Sequence, residues 1–101
     1  MLTYYVLYRT DQRGEPAGLF VVDATNGHAM VWDHRHRAWT YNPGLAARFL
    51  DDHRNFDRYD EVDRQTADRL VPGMTGGVPL PDEVSIRSVF TREGPADGDR
   101  S

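Results

Sequence analysis

Histidine and arginine alternate at positions 34 to 37 of the stretch VWDHRHRAWTY, residues 31 to 41, and a tryptophan flanks them on either side. On extended backbone, side chains two apart point the same way. His34 and His36 could therefore present two imidazoles to one metal ion. A zinc site needs at least a third ligand, and the available donors are Asp33, His28, Asp51, Asp52 and His53, none at a diagnostic spacing. Arg35 and Arg37 offer a second chemistry, phosphate contact beside an indole that stacks on a base. A His–Asp acid–base pair, such as His53 with Asp33, is a third. Against these stand several missing patterns: there is no G-x-S-x-G, no phosphate-cradling glycine loop and no H-E-x-x-H. No spacing singles out Ser85, Ser88 or a threonine as a nucleophile. The chain has no cysteine, which excludes disulfides, thiol nucleophiles and Cys-containing zinc sites. The pattern calls for no cofactor.

Two further groups suit recognition rather than chemistry. Asp51, Asp52, Asp57, Asp60, Glu61 and Asp63 crowd one segment against only Arg54 and Arg58. No repeated D-x-D loop of calcium type is present, so this reads as an acidic surface able to steer a basic partner. The first strand carries Tyr4, Tyr5 and Tyr8. Alternation puts Tyr5, Leu7 and Arg9 on one side, and Phe20 and Val22 extend that side from the next strand. Tyrosine, phenylalanine and arginine on an uncovered sheet face make a typical contact surface.

The elements that must position these residues follow from periodicity and turn chemistry. Residues 3–9, TYYVLYR, and then GLFVVDA are β-branched and aromatic and read as strands. Asn26-Gly27 between apolar runs predicts a two-residue type I′ hairpin, with Asp23 facing Met30 and Val21 facing Trp32. A four-residue loop, 34–37, sets Trp32 opposite Trp39 and Met30 opposite Tyr41. One face then gathers Leu19, Val21, Met30, Trp32, Trp39 and Tyr41, and a cover is required. Asn42-Pro43 is a helix start, and Leu45, Ala46, Phe49, Leu50 and His53 recur at helical spacing, which predicts that cover over 43–53. RNFDRYDE reads as a polar connector. Asp63 caps a second helix, with Val62 and Ala67 as a hydrophobic staple, ending near Leu70 or Val71 at Pro72-Gly73. Pro81-Asp82-Glu83 opens a short last helix that buries Val84, Val89 and Phe90. From Gly94 onward no apolar anchor remains, and a disordered tail is expected.

The class is α+β: an antiparallel meander of about four strands with two to three short helices packed on one face, forming one domain over residues 1–92. Its 101 residues suffice for one core without staples. All twelve basic residues are arginine, spread along the chain, and the net charge is −4. That sum disfavours nucleic acid as a partner. It is also unevenly placed, about +1 over residues 1–50 and about −5 over the rest. No apolar run approaches the ~18 residues of a membrane span, and a cytoplasmic location is expected. The function these features favour is a small protein-interaction domain: an adaptor, accessory subunit or inhibitor-type regulator of another protein. Its contact residues would be Tyr5, Arg9, Phe20, Arg35, Arg37 and the acidic group. An open sheet edge equally allows a symmetric homodimer. The alternatives are a nucleic-acid-associated module using the 34–37 tip and a small metal-dependent or acid–base enzyme.

Overall fold

A computed structural model describes residues 1–10, 12 and 14–93. Five antiparallel strands form one sheet: β1 (Leu2–Tyr8), β2 (Pro16–Asp23), β3 (His28–Asp33), β4 (Ala38–Tyr41) and β5 (Tyr59–Val62). Their order is β4-β3-β2-β1-β5. The helices are α1 (Pro43–Asp51), a 3-10 helix (His53–Arg58), α2 (Arg64–Thr75) and α3 (Glu83–Glu93). The fold is α+β, with helices on both faces of the sheet rather than one.

The β3–β4 hairpin has the register that a four-residue loop over 34–37 sets, Trp32 opposite Trp39 and Met30 opposite Tyr41. The β2–β3 hairpin differs from expectation by two residues: Asp23 faces His28 and Val21 faces Met30. A type I′ turn needs positive φ at Asn26 and Gly27, but only Gly27 has it, at 76°. Asp23 is the reason. Its carboxylate accepts from the Thr25 N–H and its carbonyl from the Asn26 and Gly27 N–H groups, which closes a four-residue loop over 24–27. A shift of two leaves every side chain on its face.

That face does gather Leu19, Val21, Met30 and Trp39, but its cover is not α1. Ala67 and Val71 of α2 and Ile86 and Phe90 of α3 complete this core. α1 lies on the opposite face, where Ala46, Phe49 and Leu50 meet Phe20, Ala29 and Val31. A nine-residue helix with one fully buried residue offers too little apolar surface for the tryptophan face. It instead carries the chain from β4 at one edge to β5 at the other.

Two helix boundaries depart from the sequence reading. α1 stops at Asp51, and the supposed connector forms the 3-10 helix and the edge strand β5. Four residues on an edge tolerate the polarity that hid this strand. α2 passes through Pro72 to Thr75, because Ala67, Val71 and Thr75 form a buried stripe at spacing four that holds the last turn on the sheet. Its actual stop is Gly76, left-handed at φ 73°. In α3, Asp82 caps through the Ser85 N–H as its position suggests. Ile86 and Phe90 are buried there, while Val84 is 76% exposed rather than core. The expected tail from Gly94 lies outside the described residues.

Candidate functional site

The HRHR tip separates its side chains instead of converging them. His34 Nε2 sits 2.6 Å from the Ala17 carbonyl oxygen, which can only accept, so that nitrogen carries the proton. His36 Nδ1 donates to Asp33 Oδ2 at 2.8 Å. Asp33 also accepts from the Arg35 and His36 backbone N–H groups. These bonds, led by that from the His36 side chain, pull the Asp33 carboxyl below its ordinary range. Asp33 is thereby committed to its own loop and not to His53, which is exposed on the 3-10 helix. Among the described residues, no group of three histidines and carboxylates is placed to hold a metal ion. The candidate ligands His34, His36 and His53 are not assembled into a chelate.

Arg37, at φ 54°, reaches back and donates from Nη2 to the Thr75 carbonyl at the C-terminal end of α2. The negative end of the helix dipole suits a guanidinium there. Trp39 donates Nε1–H to the Pro79 carbonyl and packs against Trp32, with ring centroids 5.1 Å apart. Of the features expected to touch nucleic acid, only Arg35 is left exposed without a contact of its side chain among the described residues.

The acidic residues divide in the same way. Asp52 binds the Arg54 guanidinium at 2.7 Å, and its pKa falls to about 2. Asp63 caps α2 through the Thr66 N–H. Asp60 accepts from the Tyr8 hydroxyl at 3.3 Å. Asp51, Asp57 and Glu61 are exposed.

The aromatic face is where several candidates meet, though not as an open sheet. Phe20 is in the core beneath α1, edge-on to Phe49 at 5.6 Å, and so is withdrawn from the contact surface. Tyr5, half-buried, lies toward the β5 edge opposite Glu61. Burial, then the negative charge of Glu61 and the neighbouring Tyr59, push its phenol pKa up. Rings continue outward from there: Tyr5 to Tyr59 at 5.7 Å, Phe49 to Tyr59 at 6.0 Å, and Phe56 to Tyr59 at 6.5 Å. Phe56, on the 3-10 helix, is 61% exposed. It and Tyr59 are the residues that sequence reasoning missed. The phenylalanine in RNFDRY was a signal, masked by the charges around it.

At the other end of this face is an open groove of about 360 Å³ between β1, β2 and α1. Leu7, Phe20, Leu45 and Phe49 supply apolar lining, and Arg9 and Arg58 reach it from the chain segments beside them. On the tryptophan side, His28 stacks on Phe90 at 5.2 Å, with Nδ1 3.0 Å from the Tyr41 hydroxyl, beside a smaller cavity of about 210 Å³. Comparison of the chain with protein-family models, with curated proteins and with solved structures gives no match.

Proposed function

We propose that this chain is a protein-interaction domain, and that its contact surface is the patch formed by Tyr5, Phe56, Asp57, Tyr59 and Glu61. The observation that carries the reading is Phe56, a large aromatic side chain 61% exposed at the end of a continuous run of rings. Isolated exposed apolar residues are ordinary. One that is backed by packed aromatics and flanked by exposed carboxylates has the composition of a binding hot spot with a charged rim. The partner of matching chemistry is a protein with an apolar pocket for Phe56 and a basic border for Asp57 and Glu61. The acidic charge of the second half of the chain favours the same encounter.

The test compares wild type with Phe56→Ala and Glu61→Arg as bait in a nuclease-treated lysate of the host. Both sites are exposed, so circular dichroism should show unchanged folding. A stoichiometric protein partner is expected, weakened about tenfold or more by Phe56→Ala and weakened further as salt rises. Equal capture by all three baits contradicts the proposal.

A further inference from the structure

We propose that the groove between β1, β2 and α1 is a binding site for a small organic acid, a carboxylate on an apolar body. The inference is independent of the partner surface, since Phe56 does not line the groove. Its apolar walls come from Leu7, Phe20, Trp32, Leu45 and Phe49. Gly18, directly opposite Leu7 in the sheet, adds no side chain and keeps the floor open. At about 30 Å³ per water-sized group, a volume near 360 Å³ takes a body of roughly ten heavy atoms.

The charge of the groove runs against that of the chain. The protein carries a net −4, yet among the described residues no aspartate or glutamate lines this space, while Arg9 and Arg58 do. Arg58 is held by stacking over the Phe49 ring at 5.7 Å and by one bond from Nη1 to Asn55 Oδ1 at 3.3 Å. Its Nε is buried and has no hydrogen-bond partner among the described residues. A buried donor left unpaired is costly, and a guanidinium presents its Nε and Nη hydrogens as a fork that fits a carboxylate. Neither Arg9 nor Arg58 has a carboxylate within ion-pair distance among the described residues. An acid whose carboxylate meets the Arg58 guanidinium and whose body rests on Leu7, Leu45 and Phe49 pairs the charge and fills the apolar walls together. A neutral ligand does only the second.

Isothermal titration of the purified chain with 3-phenylpropionate, followed in parallel by tryptophan fluorescence through Trp32, tests this directly. The expected result is one saturable site. 3-Phenylpropanol, with the same body and no charge, should bind at least about tenfold more weakly. Arg58→Met should weaken the acid by a similar factor and leave the alcohol unchanged. Gly18→Val, which projects methyl groups into the floor, should abolish both. If that variant does not fold, Arg9→Gln, at an exposed position, must weaken the acid. Phe56→Ala must leave acid binding intact, which separates this site from the partner surface. Absence of saturable binding, equal affinity for acid and alcohol, or binding only of a peptide ending in a free phenylalanine carboxylate overturns the proposal.

Discussion

Single residues decide how this surface is charged and where the backbone turns. Asp33, Asp52, Asp63 and Asp82 all titrate below the ordinary carboxylate range because each accepts hydrogen bonds within its own loop or cap. A depressed folded-state pKa contributes stability that is complete above the unfolded value and lost as pH falls through the folded one. Thermal midpoints should therefore be flat, as far as these groups are concerned, above about pH 5, and fall progressively between about pH 4 and pH 2. Asp63→Asn and Asp82→Asn together should flatten that slope, and an unchanged slope contradicts the assignment. Glycines argue in both directions. A Cβ at Gly73 meets nothing within 4 Å, and the site is exposed and helical. Gly73→Ala should raise stability by about 0.5–1 kcal/mol in urea titration. At Gly76, φ is 73° and a Cβ would stand 2.8 Å from Arg37 Nη2. Gly76→Ala should lower stability and free the Arg37 contact with Thr75.

At the scale of elements, the strongest local signals were readable and the tertiary ones were not. Asn42-Pro43 and Asp63 start helices as their chemistry dictates, with side chains accepting from the Leu45 and Thr66 N–H groups. Asn42→Ala should cost about 1 kcal/mol by loss of that cap. The β3–β4 register followed from reading residues 34–37 as a four-residue loop. What stayed hidden depended on partners distant in sequence. β5 is a strand because β1 pairs with it, Tyr5 opposite Glu61 and Leu7 opposite Tyr59, and not because RYDEV is apolar. α2 outlasts Pro72 because Val71 and Thr75 are fully buried against the sheet. The groove was illegible for the same reason, since Arg9, Gly18, Phe49 and Arg58 approach one another only after the sheet has closed. Of the expected contact residues, Tyr5 and Glu61 come together as cross-strand partners, and Tyr59 links Tyr5 to Phe56. Phe20 and Arg37 are taken up by packing and by a helix end.

The whole molecule is a sheet between two unequal layers. α2 and α3 close the larger core, where Ile86 is fully buried and Ile86→Ala should cost roughly 2–5 kcal/mol. α1 and the 3-10 helix form the thinner layer, and it is this layer that holds the exposed ring of Phe56, the Arg58 guanidinium and one wall of the open groove. On the proposed function, stability and recognition belong to opposite faces. That division is tested most directly by amide hydrogen exchange on the chain alone and with its captured partner bound. New protection over residues 53–62 and the facing part of β1, with α3 unchanged, is the predicted footprint. Protection confined to α3 or to the 34–37 tip, with residues 53–62 exchanging as before, would contradict the account.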